Sequence, residues 1–114
     1  MRVLLTGGNG FVGSHILDRI QEGNHSVHLL LRKTSNTAYI EHHLSDVTIH
    51  YGDLERSDLL EEIVGDMGCI IHCAGKTKAL HDEEYYRINR DGTARLVRAA
   101  NSHSAPSCHF IHIS

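Results

Sequence analysis

The sequence predicts an α/β fold, a parallel five-stranded sheet with helices on both faces. Three observations predict it. Short apolar runs alternate with helical periodicities from end to end, giving a βαβαβαβαβ order. Runs such as Leu29-Leu30-Leu31 are continuously apolar, as a strand covered on both sides requires. A glycine cluster stands directly between the first strand and the first helix. Right-handed crossovers then make the sheet parallel, with strand order 3-2-1-4-5 and a crevice beside strand one, where the order reverses.

Each element has its own signal. Arg2 to Thr6 is a compact strand around Val3, Leu4 and Leu5. Phe11, Val12, Ile16, Leu17 and Ile20 recur at helical spacing, so a helix runs from about Gly10 to Glu22, stopped by Gly23-Asn24. Ser26 to Leu31 is the second strand. A polar stretch from Lys33 to Thr37 leads to a short helix over Ala38 to Leu44. Val47 to Tyr51 is the third strand, broken by Gly52-Asp53. Ser57 is placed to cap a helix through Val64, with Glu61 and Glu62 on its wet side. Cys69 to Cys73 is the fourth strand, and Ala74 to His81 a loop. Asp82 to Asn101 is the longest helix, with Ile88, Leu96, Val97 and Ala100 as its buried stripe. Cys108 to Ile113 is the fifth strand.

Composition bounds the rest. A chain of 114 residues fits one domain and buries roughly 65% of its unfolded surface. A net charge of −3 lacks the basic face that nucleic acid demands. Three cysteines cannot complete a disulfide framework and read as reduced thiols. The apolar run after Met1 is too short for a signal peptide, and no run approaches a membrane span. These features point to a cytoplasmic chain with neither nucleic acid nor membrane as partner.

The segment Thr6-Gly7-Gly8-Asn9-Gly10-Phe11-Val12-Gly13 carries the chemistry. Gly7 permits a tight turn, Gly10 lets a phosphate approach bare backbone, and Gly13 lets the helix pack closely. The helix N-terminus offers N–H groups and a positive dipole end to a pyrophosphate. A ligand-free glycine turn is the plain alternative. The position at the first βα junction of a βαβ chain favours the dinucleotide site.

The spacing T-G-x-x-G-x-x-G resembles the extended branch of the short-chain dehydrogenase/reductase superfamily, which contains the NAD-dependent epimerases and dehydratases. Four more segments resemble that branch in order: Gly52-Asp53-Leu54, Ile71-His72-Cys73-Ala74-Gly75, Asn89-Arg90-Asp91-Gly92-Thr93 and Phe110-Ile111-His112-Ile113-Ser114. The resemblance covers the whole chain and matches the family's N-terminal part. It implies a Rossmann-type NAD(P)-binding domain over residues 1–114, truncated after strand five. It also implies residue roles. Asp53 would bond the adenine amino group, with the Leu54 backbone alongside. Cys73, Ala74 and Gly75 would pass along the nicotinamide ribose. Asn89 would hold the active-site helix and its relay water, and Ser114 stands where the catalytic serine region begins. Asn9, Phe11 and Val12 complete the glycine-loop contacts.

The second strand ends in Arg32-Lys33, and no carboxylate lies between Glu22 and Glu41 to bond ribose hydroxyls. Arg32 can grip a 2′-phosphate through two parallel hydrogen bonds, with Lys33, Ser35 and Asn36 as further donors. NADP is therefore expected over NAD. The Leu31 to Ser35 stretch also resembles the dihydroflavonol-reductase and hydroxysteroid-dehydrogenase side of the family more than its sugar-nucleotide epimerases.

Eleven histidines raise the question of a metal. Strand alternation puts Cys69 and Cys73 on one face and His72 on the other, and separates His109 from Cys108 and His112 in the same way. No cluster has paired C-x-x-C spacing, so no metal site is expected, and His42-His43 reads as a surface pair. Lys76, Lys78 and His81 lie near the expected site mouth, where substrate contact and simple solvation explain them equally.

The resemblance also implies a Tyr-x-x-x-Lys acid/base pair beyond strand five. The sequence has none, since Tyr85 and Tyr86 precede strand five and lack the lysine. Three readings stay open. The first is the cofactor-binding part of an oxidoreductase moving hydride between NADP(H) and a hydroxyl/carbonyl substrate, inactive as it stands. The second is the same part of a nucleotide-sugar epimerase or dehydratase, and the third is a non-catalytic dinucleotide-binding module. An unpaired, apolar edge at strand five predicts self-association.

Overall fold

The computed structural model describes residues 1–73 and 82–113. Its strands are β1 (Arg2–Thr6), β2 (Ser26–Leu31), β3 (Thr48–Tyr51), β4 (Cys69–His72) and β5 (His109–His112). Helices α1 (Phe11–Gln21), α2 (Ser57–Val64) and α3 (Asp82–His103) connect them, with a 3₁₀ helix over Ala38–Asp46. All four strand pairings are parallel, in the order β3-β2-β1-β4-β5. The expected topology, helices on both faces included, is the observed one.

Alternation along the strands builds two cores. Leu4, Leu30 and Ile70 pack on one face against Leu60, Ile63 and Val64 of α2 and Leu96, Ala99 and Ala100 of α3. Leu5, Leu29 and Leu31 pack on the other against Leu17 of α1 and Ile40 of the 3₁₀ helix. Between α2 and the β2–β3 edge, Arg2, His28, His50, Glu62 and Asp66 line a cleft of about 210 Å³. Burial lowers the pKa of both cleft histidines, and His28 Nδ1 lies 2.9 Å from His50 Nε2.

Some local expectations change. Ser57 is the first residue of α2, not its cap; Arg56 holds the cap position, with no side-chain capping bond. The short helix expected over Ala38 to Leu44 is 3₁₀ and continues to Asp46. Val97 is exposed, and Ala99 takes its place in the buried stripe. Leu96, Ala99 and Ala100 share a face at i, i+3 and i+4, whereas Val97 lies about 100° round the helix from Leu96, outside that face. The expected loop from Ala74 to His81 lies outside the described residues, as does Ser114.

Candidate dinucleotide site

Parallel strands place every βα turn at one edge of the sheet, and the glycine loop sits at its centre, after β1. Gly7 has φ 71°, a left-handed conformation that side chains resist. At Gly13 a Cβ would lie 1.9 Å from the Gly7 carbonyl oxygen, so α1 and the loop can close on each other only around a glycine. The Gly10 N–H donates to Gly7 O at 3.1 Å, and the first helical bond runs from Ser14 N–H to Gly10 O at 2.8 Å. Gly10 is the N-cap of α1, no side chain caps it, and no acidic residue occupies the first turn. The N–H groups of Phe11, Val12 and Gly13 thus precede the first intrahelical bond, as the opening donors of a helix do. Two features of this cradle suit a phosphate: bare backbone at the turn and an uncompensated positive helix end.

Neighbouring turns are tied to this loop. Asn9 Nδ2 donates to the Asn36 carbonyl at 3.1 Å, and Asn36 Oδ1 accepts from the Ala38 N–H at 2.9 Å. That bridge draws the segment after β2 against the glycine loop. Arg32 opens the segment, exposed, with its N–H bonded to Ser35 Oγ at 3.0 Å. Asp53 follows β3 at the same edge, where the Gly52 N–H donates to Leu31 O at 2.9 Å. Its Oδ1 accepts the Glu55 N–H at 2.8 Å, so the turn-forming role is the one the fold uses. Leu54 packs on the α2–α3 core and touches Gly92 so closely that a Cβ there would lie 3.0 Å from it. Cys73 closes the row: its N–H is shared between Thr6 O and Thr6 Oγ1, at 3.1 Å each. Burial pushes the Cys73 thiol pKa up, so it stays protonated. Asn89 lies half-buried on α3, a turn before Thr93. Ala74, Gly75, Lys76, Lys78, His81 and Ser114, all singled out by the sequence, are outside the described residues.

The sequence reading missed the group that locks this edge. His72 is fully buried. Its Nδ1 lies 2.6 Å from Thr6 Oγ1 and its Nε2 2.8 Å from Thr93 Oγ1. The ring also stacks on His112 at 5.0 Å. Burial, with a smaller contribution from His112, pushes the His72 pKa down to about 4. A neutral ring donates through one nitrogen and accepts through the other, which satisfies both hydroxyls. One imidazole thereby joins the ends of β1 and β4 to α3, directly beneath the glycine loop. Thr6 and His72 are register partners on adjacent strands, which is the signal that could have found the pair.

The cysteine-rich clusters do not assemble as ligand sets. Cys69, Cys73 and Cys108 are free thiols, and Cys69 is buried. Among the described residues, the one group of three converging metal-ligating side chains is Asp18, His42 and His43.

Residues 3–114 match the NAD dependent epimerase/dehydratase family. The chain belongs to that family. Among its relatives, the sterol-4-alpha-carboxylate 3-dehydrogenase of Dictyostelium discoideum is 32% identical over 108 residues, which are 92% of this chain and 32% of that protein. A UDP-glucose 4-epimerase of Klebsiella pneumoniae is 32% identical over 111 residues, 87% of this chain and 79% of that sequence. Among solved structures, the dTDP-glucose 4,6-dehydratase of Bacillus anthracis, in complex with NAD, superposes with a TM-score of 0.83 at 20% identity, over 100% of this chain and 37% of that one. At this identity the likeness bears on the fold alone, and it agrees with the Rossmann-type topology. The chain spans about a third of the length of the first of these relatives. No helix among the described residues is long and apolar enough to cross a membrane.

Proposed function

We propose that the chain is the dinucleotide-binding domain of an enzyme that moves hydride between a nicotinamide cofactor and a hydroxyl/carbonyl pair. The uncapped start of α1 behind Gly7–Gly13, at the point where strand order reverses, carries this reading. The N–H groups of Phe11, Val12 and Gly13 bind the pyrophosphate, and Asn9 holds the adjoining turn in place. Asp53, with the Leu54 backbone, lies toward the adenine. Cys73, followed by Ala74 and Gly75, lines the nicotinamide ribose, and Asn89 supports the helix beside it. When bound, the cofactor supplies the hydride-accepting ring; the chain orients it.

The substrate reading is a nucleotide-sugar. UDP-glucose 4-epimerases recur among the relatives, which favours the reading that the sequence ranked behind a simple reductase. The 114 residues hold no Tyr-x-x-x-Lys pair, so the part assigned to them is to hold the cofactor, with Ser114 at the start of the catalytic region. We assign the chain to the cytoplasm and expect it to self-associate through the β5 edge.

For the cofactor, the family's NAD dependence supports NAD as the first choice. The expected NADP preference rests on Arg32, whose exposed side chain stands at the end of β2 with no carboxylate beside it in sequence. Calorimetric titration with NAD and NADP separates the two. Tighter NADP binding that reverses in Arg32→Asp supports the second reading; tighter NAD binding overturns it. Gly13→Val removes binding of both. A wild-type chain that binds neither sinks the dinucleotide assignment itself.

A further inference from the structure

We propose that Asp18, His42 and His43 form a binding site for a divalent transition-metal ion of the zinc class. This departs from the sequence reading, in which His42-His43 is a surface pair and no metal is expected. Asp18 comes from α1, and both histidines come from the 3₁₀ helix. The two elements meet because Leu17 and Ile40, both fully buried, dock them on the same face of the sheet. In a 3₁₀ helix residues three apart eclipse, so His43 follows Ile40 inward and is only 14% exposed.

Donor positions fit a small ion. His42 Nε2 lies 3.3 Å and His43 Nε2 2.6 Å from the same atom, Asp18 Oδ1. All three donor atoms lie within 4.8 Å of one another. Zinc bonds of about 2.0–2.2 Å in tetrahedral geometry separate two ligand atoms by roughly 3.3 Å. The His42–Asp18 pair already has that separation, and the His43–Asp18 pair reaches it by opening about 0.7 Å, a small side-chain rotation. Two imidazole nitrogens with one carboxylate oxygen suit zinc, nickel, cobalt or copper; magnesium and calcium prefer all-oxygen sets. Asp18 and His42 are 52% and 63% exposed, which gives the ion an entry path and leaves its fourth position to water. Coordination uses the Nε2 lone pairs, so each ring then carries its proton on Nδ1. A bound ion would clamp the 3₁₀ helix to α1. These elements carry Tyr39 and Phe11, whose rings meet edge-on at 6.3 Å beside the glycine loop.

The test is calorimetric titration of the chelator-treated chain with Zn²⁺, Co²⁺ and Mg²⁺, alongside the visible absorption of the Co²⁺ form. Wild type binds one Zn²⁺ ion at this site, Co²⁺ gives tetrahedral ligand-field bands, and Mg²⁺ does not compete. Outer-shell partners of metal ligands are worth ~10–100-fold in affinity. Asp18→Asn and His42→Gln, which remove direct ligands at exposed positions, each therefore weaken Zn²⁺ at least ~10-fold. The control His25→Gln, an exposed histidine elsewhere, leaves affinity unchanged. His43→Gln is the third ligand test; if its burial makes that variant misfold, the two exposed variants still decide. Equal Zn²⁺ affinity in wild type, Asp18→Asn and His42→Gln overturns the site, as does no binding by wild type or an equal loss in His25→Gln.

Discussion

The two faces of the sheet are built from the same alternating strands but closed differently. On one face α2 and α3 lie side by side, and their apolar stripes reach from β2 across to β5, where Cys108 and Phe110 join the core. On the other, α1 and a 3₁₀ helix cover β1, β2 and β3, and β5 contributes nothing to that core. Ile71 and Ile111 are register partners, so they share this second face, yet Ile111 is 45% exposed and Ile113, two residues on, 38%. Two α-helices close one side, whereas on the other, among the described residues, the cover is α1 and the 3₁₀ helix. The difference separates two tasks: the α2–α3 face holds the sheet together, and the α1 face positions the glycine loop.

The largest expected effects lie on the closed face. Leu60→Ala and Leu96→Ala each remove a fully buried side chain from the α2–α3 core. Such truncations cost about 2–5 kcal/mol, read as a drop in the urea midpoint at unchanged slope. Ile111→Ala on the open face should change stability by less than about 0.5 kcal/mol. A comparable loss at Ile111 would mean that the second face is covered in solution, and the contrast between the faces would fail.

Second in size is an acid sensitivity rooted in His72, which lies on the closed face. Unfolded, its imidazole titrates near the ordinary value of about 6.5; folded, it stays neutral until about 4. The unfolded state thus takes up a proton that the folded state refuses, and stability drains as pH falls through that window. It is fully present above about 6.5, and the loss by pH 4 is roughly 3 kcal/mol. His28 and His50, also depressed by burial, act in the same direction. Denaturant midpoints between pH 7 and pH 4.5 should fall for wild type and fall less steeply for His72→Gln. Parallel slopes would place the proton uptake elsewhere.

The same contrast shows what was readable in the sequence. Strand order and the glycine turn were legible because they depend on period and local spacing: continuous apolar runs mark β1 and β2, and Gly7 and Gly13 sit where the backbone leaves no alternative. The His72–Thr6–Thr93 lock was not legible. His72 is separated from Thr6 by 66 positions and from Thr93 by 21. Only the register of β1 on β4 and the angle of α3 bring them together. Asp18 likewise stands 24 and 25 positions from His42 and His43, which look like a solvated pair until α1 is docked beside them. Val97 was misread for a simpler reason: an apolar residue one position off a helical stripe looks like a member of it.

The smallest effect in free energy has the clearest consequence in solution. β5 is the last strand of the sheet among the described residues, so one side of its backbone ladder has no partner strand there. Unpaired edges beside exposed apolar residues favour strand-to-strand association. Ile111→Lys places a charge on that edge at a position already half-exposed, so its cost to folding should stay within about 0.5 kcal/mol. Sedimentation velocity over a concentration series should show association for wild type and a monomer for Ile111→Lys. Tyr51→Lys, on the opposite edge strand β3, serves as the control, because Tyr51 is likewise exposed, at 54% against 45% for Ile111. If Tyr51→Lys dissolves the assembly and Ile111→Lys does not, association runs through the β3 edge, and the open region beside β5 is not the sticky one.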